Sequence, residues 1–337
     1  MLVVVVSVAA VLVGTGRHAP GPGARLAPAR LAVPASLAVP TVTARVPSPP
    51  TPGFLAVAPN GRLGWLANRD PRVVTVLDLT TNAPVASIPI TEAPPRFIAF
   101  TADGSRAFVS AYTDDDAVNV VAVIDTSTRS VIATIPVDRR PYALAIAPDQ
   151  RTLWVPSHNT AQIDMVDIAT GTITRRVPVA PNPHWVTFDN GRAYIVDHES
   201  NLVTVLDASS AAPITTIPVG SSPHSAAVSP DGSRIAVAIY DGDEVAMIDP
   251  IVNRVVTTVP GGHHPQDVSW APDGKHHYTA NVDSGTVSVI DATTAQVSAT
   301  IPVGHSPTSI TTISPPGSSA VVTVLDDSQL TFLATGR

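Results

Sequence analysis

The chain has ten histidines and no cysteine, so any metal or nucleophilic chemistry falls to imidazoles, carboxylates and hydroxyls. Five of the histidines cluster around prolines that follow short polar loops: His184, His224, His263, His264 and His305. His158 and His198 come just after strand-like segments, near acids that include Asp197, Glu199, Asp241, Asp243 and Asp283. Neutral imidazole beside carboxylate suits zinc, copper or iron, and His158, His184, His198, His224 and His264 are the candidate ligands. The same residues suggest a base and its orienter for hydrolysis, His184 or His224 with Glu199 or Asp197, but no GxSxG or HExxH context surrounds them. None of these spacings is local enough to define a site, so the fold must do the gathering.

The gathering frame is a repeat. Asx-Gly turns or their variants end at Gly61, Gly104, Gln150, Gly191, Gly232, Gly274 and Gly317, with steps of 43, 46, 41, 41, 42 and 43 residues. A fixed period of this length marks a solenoid, a propeller or an array. Inside each unit, hydrophobicity alternates with period two, as in TVSVID at 286–291 and VTVLD at 203–207, which excludes helical solenoids. Four short strands per unit make a propeller blade, so the sequence predicts an all-β, seven-bladed propeller of four-stranded antiparallel blades. In Pro-Asp-Gly, proline presets φ, aspartate caps the backbone and glycine takes the left-handed position. Asp78, Asp125, Asp167, Asp207, Asp249 and Asp291 recur at the end of the third strand, and an Asx-turn explains them.

The seventh unit runs out of chain before its fourth strand, while residues 41–47 match 296–302 in spacing and character. The segment 41–47 is therefore expected to complete the last blade and close the ring, removing two free strand edges.

In such a blade, the loop into the inner strand and the loop between strands two and three emerge on one face. The residue after the proline that opens each inner strand is Gly53, Arg96, Tyr142, His184, His224, Gln266 and Thr308 in blades one to seven. This ring surrounds one mouth of the channel, and Arg96, Tyr142, His184, His224 and Gln266 are its candidate ligand-binding members. Arg96 could hold an anion at the mouth, although a lone rim arginine is usually just solvated, and Asp114 to Asp116 read as a solvated loop lacking the glycine and glutamate of an EF-hand, with weak calcium binding as the alternative. His276 and His277 start a strand from the opposite face and read as structural.

The sixth unit, with YTAN at 278–281 and PDG, strand-end Asp and IPVG in order, resembles the YVTN-type β-propeller repeat family over 41–337. The resemblance implies an exported or surface-layer-associated protein. Units one to four depart from the motif with WLAN, FVSA, WVPS and YIVD.

Composition agrees with export of a β fold. Charged residues are 14% of the chain and the net charge is −7, against a nucleic-acid partner. Residues 2–13 are apolar but for Ser7, too short for the roughly 20 residues of a membrane span, and read as a signal-peptide or anchor remnant within 1–16. No basic residue precedes them, which points to a start upstream of Met1 or to the tail of an anchor. Residues 17–40, rich in Pro, Ala and Gly, read as a linker, and membrane contact is expected only through the N-terminal segment. Two functions stand at this stage. The first is an exported, monomeric, non-catalytic scaffold for a protein or cell-wall glycan. The second is a metal-dependent enzyme or metal carrier with a histidine site at the channel mouth.

Overall fold

The computed structural model describes residues 33–313 and 318–336. The apolar segment 1–16, most of the linker and the Gly317 turn lie outside the described residues.

Seven four-stranded antiparallel sheets follow one another along the chain, as the repeat predicts. Blade four is representative, running Pro183–Asp189, Arg192–Asp197, Leu202–Asp207 and Pro213–Pro218 from the channel outward. The expected turns are in place. Each of the six strand-end aspartates accepts backbone N–H groups two and three residues on, as Asp125 does from Ser127 and Thr128 at 3.0 and 2.9 Å. These bonds hold Asp125 down to about 2, with the Ser127 hydroxyl foremost. Gly61, Gly104, Gly191, Gly232 and Gly274 sit at φ between 68° and 75°, and Gln150 takes the same turn at 56°.

The last blade orders as Ser36–Pro47, Gln329–Gly336, Ser319–Val324 and Pro307–Ile313. The N-terminal strand pairs Thr41 with Ala334 and Pro47 with Gln329, closing the ring as expected. It starts at Ser36 rather than at 41, so 36–40 belong to the propeller and not to the linker. Composition hid this because Pro40 interrupts the alternation. The reason these residues join is local: the Ser36 amide and hydroxyl donate to Asp273 at 2.7 and 2.8 Å, and Ser298 donates to the Ala38 carbonyl at 2.9 Å. Across the closure, Thr311 in blade seven donates to Leu55 O in blade one at 2.7 Å.

Hydrophobic cores lie between successive blades, built from the buried alternate residues of each strand. On the face away from the histidine-rich loops, His277 is 1% exposed, lies 4.8 Å from the Trp270 ring, and neither ring nitrogen has a partner among the described residues. Burial drives its pKa down to about 4, helped by His276. It is structural, as the sequence suggests, but at a cost in acid. Because the folded pKa lies below the unfolded one, His277 costs nothing in charge above pH 6.5 and destabilises progressively from 6.5 down to about 4. His277→Phe should therefore gain about 2 kcal/mol over the native protein at pH 5 relative to the difference at pH 7.5. Denaturant melts at both pH values check this, and equal differences would contradict it.

Candidate functional site

Six inner strands are opened by a residue in the left-handed region followed by proline: Thr51, Arg140, Asn182, Ser222, His264 and Ser306, at φ of 50° to 61°. Proline presets the strand geometry after this bend, and the next side chain is presented to the channel. All seven residues of the expected ring line one cavity of about 380 Å3.

Blade three departs from the pattern. Its inner strand is reduced to Ala145–Ile146, and Ala143 instead donates to the His184 carbonyl of blade four at 3.2 Å. This lean brings Tyr142 flat against His184, with ring centroids 4.0 Å apart. His184 in turn lies 4.2 Å from His224, centroid to centroid. His158 and His198, from the loops after the second strands of blades three and four, sit over them at 5.4 Å from His184. Four of the five expected metal ligands thus meet. They line a second cavity of about 230 Å3, which shares Tyr112, Tyr142, His184 and His224 with the channel cavity.

His264 is the exception among the five. It stacks on Tyr240 at 4.4 Å, and its Nδ1 is 2.7 Å from Asp283. Its neighbour His263 is bound to Asp243, whose carboxylate raises the imidazole pKa. His305 pairs with Asp327 in the same manner. In the sixth and seventh blades carboxylates are near enough to claim the imidazoles, whereas the four central rings face mainly each other.

Electrostatics favour neutral imidazole at His184, His198 and His224. Burial lowers His184 well below its usual value, with His224, His158 and His198 adding repulsion. Burial likewise takes His224 to about 3, and lowers His198. The Nδ1 of His184 lies 3.0 Å from the His224 carbonyl, an acceptor only, so Nδ1 carries the proton and Nε2 keeps its lone pair. His158, His198 and Glu199 each offer one atom within 4.8 Å of the others. Glu199 enters this set beside His198 because a 3-10 turn, His198–Ser200, presents both.

The catalytic pairing considered from sequence is not assembled. Asp197 accepts from the Thr204 hydroxyl at 2.6 Å inside the blade, and burial pushes its pKa to about 8. It occupies the place that Asn68 and Asn281 hold in blades one and six, each bonded to a hydroxyl on the facing strand. Glu199 takes a hydrogen bond from Asn182.

Two readings of single residues also change. Arg96 is 9% exposed rather than solvated, because its guanidinium lies 4.0 Å over the Tyr112 ring and bonds Asp114 at 2.7 Å. Asp116 is held by Arg140 at 3.3 Å and by Asn159 at 2.8 Å. The acidic loop is therefore tied to the channel mouth by two arginines. Arg140 comes from the next blade, and Arg96 lies eighteen residues from Asp114 within its own, so neither pair leaves a local spacing signal.

No family model matches the chain, and no curated protein matches it. By structure, 1564 solved chains match, so the fold is a common one. One of them is a chain titled Kuenenia stuttgartiensis Hydrazine Synthase, with a TM-score of 0.75 and 19% identity, covering 85% of this chain and 96% of that one. At that identity the likeness shows the propeller fold alone.

Proposed function

We propose that this propeller binds a transition metal ion at one mouth of its channel. His158, His198 and Glu199 serve as ligands, and His184 and His224 pack beneath them as further imidazole donors. The observation that carries the reading is the meeting of four imidazoles from three successive blades, with neighbouring ring centroids 4.2 to 5.6 Å apart. Packing four cationic rings together would be costly, and a divalent ion offers their lone pairs a partner. Imidazole with one carboxylate suits zinc, copper or iron, and the Nδ1 bond of His184 orients its ring as the outer partners of metal-bound histidines do.

The residues present are those of a binding site first. An ion here could polarise a bound oxygen, while the Tyr142 hydroxyl would supply a hydrogen bond and its stack with His184 a wall that limits water. We also carry forward export, with the disc facing a protein or cell-wall glycan partner, as the setting in which such a site works; the YVTN-like repeat supports that setting. The scaffold role gains less from the geometry than the metal role, because a scaffold has no use for buried neutral imidazoles that repel one another when charged.

Equilibrium dialysis of metal-free protein against zinc and copper, with His184→Ala/His224→Ala in parallel, tests the reading. One ion per chain, weakened at least tenfold in the double variant, is the expected result. No retained ion in either protein would overturn it.

A further inference from the structure

We infer that the channel cavity, beside the imidazole cluster, is a second site, which takes a small carboxylate with a flat apolar body. The inference goes beyond the metal reading and does not depend on it, because the groups that would hold the carboxylate, Arg96 and the Phe54 and Trp185 wall, are not among the imidazole and Glu199 ligands.

The cavity has about 380 Å3, within the usual range of about 300–1,000 Å3 for small-molecule sites. One wall is aromatic. Phe54 stacks on Phe97 at 3.8 Å, and Trp185 meets both edge-on at 5.8 and 5.0 Å, with Phe54 and Trp185 facing the cavity. Two arginines, Arg69 and Arg96, line the same cavity against a single carboxylate, Asp267. That carboxylate is already engaged, since its two oxygens accept from Val268 N and Ile310 N at 2.9 Å each and clasp blade six to blade seven.

Arg96 is the feature that asks for a ligand. A guanidinium carries five donors, yet among the described residues this one has a single acceptor, Asp114, and its Nε has none. Leaving donors of a buried cation unmatched is costly, and a planar carboxylate matches the fork in two bonds. The Asp114 side chain is 85% exposed, so it can yield its place without disturbing the core. Stacking on Tyr112 holds the guanidinium plane fixed meanwhile. Tyr142 and Gln266 add neutral donors around the cavity, and burial keeps the Tyr142 hydroxyl protonated by pushing its pKa up to about 12.

The test is calorimetric titration of the metal-free full chain with benzoate and with its neutral analogue benzamide. Benzoate should bind saturably at one per chain and benzamide about tenfold more weakly or worse. Arg96→Gln should lose about tenfold or more of the benzoate affinity, while Asp114→Asn, which removes the competing carboxylate, should tighten it severalfold. The exposed Asp114 substitution leaves the fold undisturbed and keeps the test decisive where Arg96→Gln destabilises the ring. Absence of saturable binding, equal affinity for benzoate and benzamide, or an Asp114→Asn variant no tighter than the native protein would each overturn the inference. Because the protein is metal-free, binding cannot run through the ion, which separates this site from the imidazole cluster beside it.

Discussion

Removing residues 36–47 will break the ring open and convert the propeller into an aggregating chain. The N-terminal strand is the outermost strand of the last blade, with paired positions from Ser36 to Gly336 through Pro47 to Gln329. Its hydrogen bonds to that blade contribute about 1 kcal/mol each, and Val42, Ala44 and Val46 pack on the adjoining cores. Ser36 and Arg45 also tie it to blade six, through Asp273 and the Pro302 carbonyl. A loss on the order of 5 kcal/mol is comparable with the whole stability of many domains. The melting temperature should therefore fall by roughly 10 °C or more. The exposed Gln329–Gly336 edge then becomes a template for other chains. Size-exclusion chromatography and thermal melts read both effects, and a synthetic peptide of residues 36–47 added in trans should restore much of the loss. An unchanged melting curve, or a monomer that ignores the peptide, would show that the strand decorates the ring without closing it.

The second large effect concerns the ion. Structural zinc sites in small domains bind with about 10–16 kcal/mol over four ligands, so one ligand is worth roughly 3 kcal/mol, or about a hundredfold in affinity. His158→Ala/His198→Ala should accordingly weaken zinc binding by about four powers of ten. Glu199→Gln should cost less, because Glu199 is exposed and its charge is partly screened by water. The ordering separates the site at the mouth from binding elsewhere: His263→Ala and His264→Ala, which belong to a separate group with Asp243, should leave the affinity of the mouth site unchanged. Competition with a chromophoric zinc chelator measures all four variants. Equal losses in the central and the peripheral pairs would contradict a specific site at the mouth.

The architecture was legible in the sequence because each of its devices is local. Pro-Asp-Gly turns, strand-end aspartates and two-residue alternation act within a few residues, and they repeat, so one reading serves seven times. The ring from Gly53 to Thr308 was legible for the same reason: period and topology together assign every residue after an opening proline to one mouth. What stayed hidden depends on where side chains reach once the loops are folded. The Arg96–Asp114 pair joins the start of an inner strand to a loop eighteen residues on. His264 turns to Tyr240 and Asp283 rather than to the other imidazoles. The lean of Ala143 onto blade four, which sets the Tyr142–His184 stack, comes from an inner strand shortened to two residues, and AIAP at 145–148 looks like any other strand on paper.

The most direct measurement is elemental analysis, with X-ray absorption at the edge of whatever metal is found, on untagged protein recovered from an export host. The account predicts close to one zinc, copper or iron per chain, a first shell dominated by imidazole nitrogen, and its loss in His158→Ala/His198→Ala. Metal-free protein that also fails to take up added zinc, copper or iron, or an ion whose shell holds no imidazole, would contradict it.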